Sequence, residues 1–532
     1  MTDALSEAAE RSARGGFYLI SGTTMATVIM AIAAILVGNL LGPTQYGDYN
    51  LVIVVPQILL LFTDLGINTG IINFASNSRS EENKGLTHRI LRHGMIFRIA
   101  VGAIVFFIAL ALPGFLSTTL INRPTLSFYV QIASISIIFQ IVFTTATSAF
   151  VGLDKTEYNA LTQNVQAISK TIISVALVLI GFGLGGAVMG YVGGFIGGGI
   201  IGGLIFIRLA KSEEEKPGGS YRHTFKLLTG YGWPLYVSAL ITGFVPLFSR
   251  VILSFFSTSY NIGNYTAAQN FIQLIAVVPS SLTIALLPAF SSLDSSTAEK
   301  VKLFFKRANK YTCLLIVPLV VLLILFSKQV VQIVYFKGEY KVAWLFLSYS
   351  CLVYFLVIIG FLGLSSLFNG LGDTKTTLKM TGITLSIFII LAPILAALYD
   401  VLGVIISSLI SNAIATIYGG FVARRKFHVE FDIKASTRIY VVAGTSAIPS
   451  VLLVTLTKLS APVVLLSGVL IYVLIYLSLV PLAGIISHKE LETISDIISR
   501  VRPLRIIATP LVKYEKRIMN LRSTAASSKT EN

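Results

Sequence analysis

Apolar runs about twenty residues long, separated by short polar or glycine-rich breaks, follow one another from residue 16 to residue 485. A bilayer core about 30 Å thick needs about 20 apolar residues per helix. Fourteen runs meet that need: 16–41, 49–74, 95–116, 125–151, 158–182, 186–208, 230–256, 264–290, 310–334, 342–369, 375–399, 402–423, 438–457 and 461–485. The breaks near 183–186 and 400–402 are very short. The first run is too long for a signal peptide and ends in Leu40-Leu41-Gly42-Pro43, so it reads as a span. The pattern predicts an all-α polytopic membrane protein with fourteen transmembrane helices.

Composition agrees. Of 532 residues, 55% are hydrophobic and 12% charged, where a soluble domain carries about 25% charged residues. This excludes an ordinary cytosolic protein, a disordered chain and a nucleic-acid binder, despite a net charge of +17. Two cysteines, Cys313 and Cys351, both in apolar runs, exclude a disulfide scaffold. The basic residues set an orientation. With the N-terminus inside, the outer loops hold only Arg123, Lys328, Lys337, Lys341 and Lys458, and the spans hold Lys170 and Arg250, leaving 34 of the 41 on the cytoplasmic side. Both termini are therefore expected in the cytoplasm, and anionic lipid head groups are the expected partners of the charge.

The chain repeats itself. Tyr46-Gly47-Asp48-Tyr49 matches Ile262-Gly263-Asn264-Tyr265 at an offset of 216, with Phe74 matching Phe290. Phe150-Val-Gly152-Leu153 matches Phe368-Asn-Gly370-Leu371 at 218, as Leu184-Gly185 matches Leu402-Gly403. Six spans per repeat is an even number, so the repeats are parallel. The expected organisation is an N-terminal six-helix lobe (1–210), a cytoplasmic linker (211–223), a C-terminal six-helix lobe (224–427), two extra spans (428–486) and a cytoplasmic tail (487–532) that begins amphipathic and ends disordered.

A charge within the bilayer is costly unless it faces protein or water, which makes each one a candidate site. Asp64 is the one clear intramembrane acid; Lys170 and Arg250 are the clear bases. Arg98 sits near the cytoplasmic start of the third span, where its stem can snorkel. Asn50, Gln57, Asp64 and Asn68 are spaced 7, 7 and 4 apart, which on a continuous helix is one face. Asn159, Gln163, Gln166 and Lys170 form a second stripe, and Gln269 and Gln273 a third. The charges are not part of the repeat: Lys170 aligns with Phe388, Arg250 with Ala34 and Asp64 with Ser280. Two roles are open. Asp64 pairs with Lys170 to hold the first lobe together, or Lys170 and Arg250 form a cationic site for a phosphate or acidic sugar, with Asp64 as ion-coupling or gating group. The amides Gln57, Asn68, Asn159, Gln163, Gln166, Gln269 and Gln273 then line a polar cavity. No metal-spaced His/Asp/Glu cluster and no phosphate-binding Gly-x-x-x-x-Gly-Lys-Ser/Thr loop is present, so no cofactor or metal is expected. The outer acids are Asp48, Glu339 and Asp400, scattered over short loops, so no catalytic role is expected.

The run Leu36-Val-Gly38-Asn-Leu-Leu-Gly42-Pro43-Thr-Gln-Tyr46-Gly47-Asp48-Tyr49 resembles the opening motif of polysaccharide-unit flippases. So do Asp64-Leu-Gly66-Ile-Asn-Thr-Gly70 and Gly370-Leu-Gly372-Asp373-Thr-Lys-Thr. Those proteins belong to the multidrug/oligosaccharidyl-lipid/polysaccharide exporter superfamily. The resemblance covers spans one to twelve. It implies two six-helix lobes working by alternating access in the cell membrane. It also implies transfer of a polyprenyl- or dolichyl-(pyro)phosphate-linked oligosaccharide to the outer leaflet, with proton or sodium coupling and glycan-assembly enzymes as partners. Alternatives are a cation-coupled exporter of small amphiphiles on the same fold, a membrane glycan ligase or polymerase, and a scaffold without transport.

Overall fold

The computed structural model describes residues 2–486 and 490, apart from 81–82, 213–219, 293–297 and 458. Most of the expected linker and all of the expected tail but Glu490 lie outside the described residues. Those described are helical, with no strand among them.

The first helices are α1 (Thr2–Leu61), α2 (Ile67–Ser80), α3 (Lys84–Ala111), α4 (Pro113–Thr119), α5 (Ser127–Ser134), α6 (Ser136–Gly152), α7 (Thr156–Leu177) and α8 (Gly183–Ser212). They are followed by α9 (Tyr221–Phe256), α10 (Ser259–Ser291), α11 (Ala298–Val334), α12 (Ala343–Cys351), α13 (Gly363–Gly370), α14 (Thr374–Phe427), α15 (Ile433–Leu456) and α16 (Ala461–Leu482). Among the described residues, eight continuous helical stretches are long and apolar enough to cross a membrane, or up to ten if each of two bent pairs is one span. Three of the eight, Ser21–Leu61, Thr156–Lys211 and Thr374–Phe427, run 41, 56 and 54 residues. At about 1.5 Å per residue each is about twice the bilayer core or longer. Each contains a non-helical residue: Gly42 (φ 71°), Gly181 (φ 104°) and Asp400 (φ 54°). The short divisions read from sequence are therefore real turns, placed at Gly181–Gly183 and at Asp400.

Close packing at the first of these turns is visible residue by residue. Along α8, Gly190, Gly194, Gly198 and Gly202 recur every fourth position and meet Ser174, Lys170, Gln166 and Thr162 of α7 in reverse order. A Cβ at Gly194 would lie 2.6 Å from the Lys170 Cβ, and one at Gly198 2.7 Å from the Gln166 Cβ. The two helices form an antiparallel hairpin held by bare backbone, the means by which helices associate where lipid gives no hydrophobic drive.

One expected span is not continuous. α1 stops at Leu61 and α2 starts at Ile67, with Leu65 (φ 49°) and Gly66 (φ 81°) in the break. A Cβ on Gly66 would lie 2.3 Å from the Gly232 carbonyl carbon, so the break is a place of close backbone approach to α9. The sequence spacing alone did not reveal it. Asp64 lies in the break rather than on a helical face, and the stripe through Asn50, Gln57, Asp64 and Asn68 is interrupted.

The internal repeat appears as repeated geometry. After α6, Lys155 N–H donates to the Phe150 carbonyl at 2.7 Å; after α13, Asp373 N–H donates to the Phe368 carbonyl at 2.7 Å. Asp154 (φ 56°) and Gly372 (φ 80°) take the positive-φ position in each turn, again 218 apart. Phe150 and Phe368 are fully buried, and the spans ending there are bent by 42° and 48°.

The described chain forms two compact units. The first comprises Met1–Asn270, Lys337–Val342 and Leu385–Ser407, and so contains the whole of the expected N-terminal lobe. The second comprises Phe271–Phe336, Ala343–Thr384 and Ser408–Asn532. Within it, α15 and α16, the extra pair, pack on α11. Cys313 and Val317 share a core with Ile439, Ala443 and Tyr472, and the Tyr476 hydroxyl donates to the Leu314 carbonyl at 2.9 Å. Lys426 donates to Asp373 at 2.8 Å across the hairpin of α14. Burial of Asp373 is outweighed by hydrogen bonds from Lys426 and Thr376, which hold its carboxyl below the usual range.

Two outcomes follow. Gly198→Leu drives a side chain into Gln166 and should cost about 1–3 kcal/mol or prevent folding, whereas Gly230→Ala, with nothing within 4 Å, should be nearly silent. Thermal unfolding in detergent reads both. The lowered folded-state pKa of Asp373 means its contribution is full above the unfolded carboxylate pKa and lost as pH falls through the folded value. Asp373→Asn should lower stability at pH 7 and flatten the acid limb of a pH–stability curve, with no difference from wild type once both forms are uncharged.

Candidate functional site

A cavity of about 460 Å³ opens at the break between α1 and α2. Its polar lining is Gln57, Asp64, Asn68, Arg98, Gln140, Thr144 and Tyr236; Leu60, Leu61, Leu240 and Leu247 are among its apolar residues. The break builds the site. The Asp64 carbonyl accepts from Ile67 N–H at 2.9 Å and its Oδ1 from Asn68 N–H at 3.4 Å, so Asp64 caps the new helix. A carboxylate there also suits the positive end of the α2 dipole. The Tyr236 hydroxyl of α9 donates to the Leu61 carbonyl at 2.8 Å, satisfying the end of α1.

Arg98 completes it. Its side chain is only 3% exposed. Nη1 lies 3.5 Å from Asp64 Oδ1 and donates to Thr63 Oγ1 at 3.0 Å; Nη2 donates to Thr144 at 3.3 Å and Nε to Thr145 at 3.4 Å. Arg98 does not snorkel to the membrane surface, and Asp64 pairs with Arg98 rather than with Lys170. The threonines on α6 and in the break were the available signal: three hydroxyls without an apolar role.

The structure brings the other two cations together elsewhere in the same unit. The Lys170 ammonium lies 5.6 Å from the centre of the Tyr191 ring. Arg250 is within electrostatic reach of Lys170 and of the phenols of Tyr46, Tyr49, Tyr191 and Tyr265. Among the described residues neither cation has an ion-pair partner. Tyr191 links this cluster to the cavity, for its hydroxyl donates to Gln140 Oε1 at 3.3 Å and Gln140 lines the cavity. Tyr46, Tyr49 and Tyr265 stood out in the sequence only as parts of the repeat motif and Tyr191 not at all, because an aromatic residue adds nothing to a polar stripe.

Of the amides expected to line a cavity, Gln57 and Asn68 do so. Asn159 is buried and donates to the Thr147 carbonyl of α6 at 3.1 Å, and Gln163 donates to Asn159. Gln166 is 7% exposed against the glycine stripe of α8. That stripe holds helices together and carries Lys170 at its end. Gln269 is half-buried in the first unit, whereas Gln273 is exposed and belongs to the second. Among the described residues no group of three or more His, Cys, Asp or Glu is arranged to hold a metal ion.

The sequence profile described as "Polysaccharide biosynthesis protein" matches residues 12–294, more than half of the chain. The chain belongs to that family. No curated protein matches it in sequence. Solved structures share its fold. A lipid II flippase, MurJ, in an inward closed conformation aligns with TM-score 0.70 at 18% identity, covering 86% of this chain and 97% of that one. An inward-facing multidrug resistance MATE transporter of the MOP superfamily aligns at 0.61 and 16%, covering 77% and 98%. A MOP superfamily transporter from Pyrococcus furiosus aligns at 0.55 and 18%, covering 79% and 95%. The resemblance carried by residues 36–49, 64–70 and 370–376 thus holds for family and fold, and this family member is a multi-pass membrane protein.

The Asp64–Arg98 pair gives a sharp outcome in this polysaccharide-family chain. Asp64→Leu strands a buried guanidinium and should cost about 3–5 kcal/mol. Arg98→Met combined with Asp64→Leu should recover most of that, because no charge is then left unpaired. Thermal unfolding of the single and double variants in detergent measures the difference; a double variant as unstable as Asp64→Leu would refute the ion pair.

Proposed function

We propose that this protein is a flippase that carries a polyprenyl- or dolichyl-(pyro)phosphate-linked oligosaccharide from the cytoplasmic to the outer leaflet of the cell membrane by alternating access. The observation that carries the reading is the pair of cations, Lys170 and Arg250, within electrostatic reach of each other, with Tyr191 beside Lys170 and no acidic partner for either among the described residues. Two half-buried like charges within electrostatic reach of one another call for an anion, and a phosphate takes charge-assisted hydrogen bonds from both. The neighbouring cavity, reached through Tyr191, offers Gln57, Asn68, Gln140 and Thr144 to sugar hydroxyls. The lipid tail needs no protein pocket because it remains in the bilayer.

In this reading the three long helices with internal turns each cross the membrane twice. The chain makes fourteen spans with both termini in the cytoplasm, as two six-helix lobes, 1–210 and 224–427, joined by the linker 211–223 and followed by the extra pair. Asp64 acts in ion coupling or gating, through its hold on the Arg98 guanidinium at the cavity. The protein performs no bond chemistry. A second reading, a cation-coupled exporter of small amphiphiles, draws support from the cavity itself, since about 460 Å³ lies within the range of drug-sized ligand pockets.

The test is transfer of a fluorescent oligosaccharide linked to a lipid diphosphate across proteoliposomes. Lys170→Ala and Arg250→Ala should each reduce the rate by at least tenfold while leaving thermal unfolding in detergent close to wild type. Full transport by both folded variants would return the two cations to a structural role. Efflux of small amphiphilic cations by a wild type inert toward the lipid-linked sugar would favour the second reading.

A further inference from the structure

The motif Gly370-Leu-Gly372-Asp373-Thr-Lys-Thr takes no part in the site described above. It opens the hairpin of α14, whose arms meet at Asp400 and whose two ends both belong to the second unit. Two contacts fix how the arms lie there. Lys426 donates to Asp373 at 2.8 Å, and a Cβ at Gly419 would lie 2.6 Å from the Met380 Sδ. Met380 is seven residues on from Asp373, and Gly419 is seven back from Lys426. The arms are therefore antiparallel in one register.

That register sorts the cations at this end of the hairpin. A helix turns about 100° per residue. Counted from the two contacts, Lys375 and Lys379 of the first arm and Arg425 of the second come out on one side of the seam, and Arg424 on the other. Arg424 has an acid to answer it there, for its charge is felt by Glu430. Lys375, Lys379 and Arg425 are exposed, and among the described residues none of them is in an ion pair. The acid of the motif, Asp373, is held by Lys426 and by the Thr376 hydroxyl, which donates to it at 2.7 Å.

The same faces continue as apolar surface. Leu378 on the first arm is 41% exposed, and Ile417 and Phe421 on the second are 61% and 56% exposed. The Arg425 guanidinium lies 4.9 Å from the centre of the Phe421 ring, so this cation stands on the apolar stripe itself. In a membrane-spanning hairpin acyl chains lie along such a stripe, and basic side chains at its end stand at head-group level. The cluster is particular to the second repeat. At the offset of 218, the positions of Lys375, Lys379 and Arg425 hold Glu157, Leu161 and Ile207. A general bias of positive charge toward one face of the membrane would fall on both repeats alike.

We propose that Lys375, Lys379 and Arg425 form a binding site for a membrane phospholipid whose head group carries two negative charges. Its phosphates sit among the three cations, and its acyl chains run along Leu378, Ile417 and Phe421. Three cations with no acid among them accommodate more than one negative charge. The guanidinium offers a planar fork to phosphate oxygens, and the two ammonium groups, one helical turn apart, supply point charges. A lipid held this way bridges the two arms beside the Asp373–Lys426 contact. The site stands whether the protein moves a lipid-linked sugar or a small amphiphile.

Native mass spectrometry of the full chain in detergent, with cardiolipin as the dianionic probe and phosphatidylcholine as the zwitterionic one, tests the site. Lys375→Gln, Lys379→Gln and Arg425→Gln together should weaken cardiolipin binding by roughly a hundredfold, at about fivefold per cation, and leave phosphatidylcholine unaffected. A control that removes equal charge from the same unit, Arg424→Gln with Lys434→Gln and Arg438→Gln, should weaken it far less. Equal losses in the two triple variants would overturn the site, since the attraction would then be diffuse. Displacement of cardiolipin by equimolar inorganic diphosphate would also overturn it, in favour of a soluble anion. A second measurement serves if the first triple variant fails to fold. The fluorescence added by Phe421→Trp should be quenched at least twofold more by brominated cardiolipin than by brominated phosphatidylcholine at equal bromine content, and the difference should shrink as salt is raised. Equal quenching by the two lipids would overturn the proposal.

Discussion

A guanidinium with 3% of its surface exposed has to be neutralised where it lies, because water is not at hand to do it. Arg98 is answered by Asp64 and by hydroxyls from the break and α6. To bring Asp64 there, α1 has to stop at Leu61. The carbonyl this frees at Leu61 is taken up by Tyr236 of α9. The interruption, the ion pair, the cap on α2 and the cavity are therefore one arrangement. Non-helical backbone at membrane depth is tolerated only where protein or water satisfies it, and here the Tyr236 hydroxyl does so for the freed carbonyl.

The second cationic centre follows the opposite rule. Lys170 and Arg250 stand among phenols, which screen charge through their rings and hydroxyls but do not cancel it. The first centre is closed on itself and the second is left wanting an anion. Tyr191 joins them, with its ring under the ammonium and its hydroxyl on the Gln140 amide of the cavity wall. This contrast between a satisfied pair and an unsatisfied one supports separating a structural and coupling role for Asp64–Arg98 from a binding role for Lys170–Arg250.

Much of the fold was legible because hydrocarbon imposes a simple length rule on apolar runs. The turn at Gly181 fell two residues before the division read at 183–186, that at Asp400 fell inside the one read at 400–402, and the repeat offsets of 216 and 218 reappear as matched turns and matched contacts. The break at 62–66 was not legible. Phe62-Thr63-Asp64-Leu65-Gly66 sits inside a longer apolar run, and the Gly232 backbone that Gly66 meets there is distant in sequence. Arg98 was misjudged for a related reason, since nearness to a span end suggested snorkelling while the partners that bury it lie on α6 and in the break. Of the amide stripes, the one on α7 was read as lining a polar cavity, but its neighbours are glycines and a backbone carbonyl. Spacing identifies a face without identifying what the face meets.

The glycine stripe of α8 bears on more than packing. Gly194 lets the helix backbone lie directly against the stem of Lys170, with no side chain between them. A lysine usually surrenders much rotamer freedom when it grips a ligand. Here part of that freedom is removed when the hairpin forms, so in the proposed site an arriving anion would meet a charge already held in position. A residue with no side chain would then do as much for that site's selectivity as the one that carries the charge.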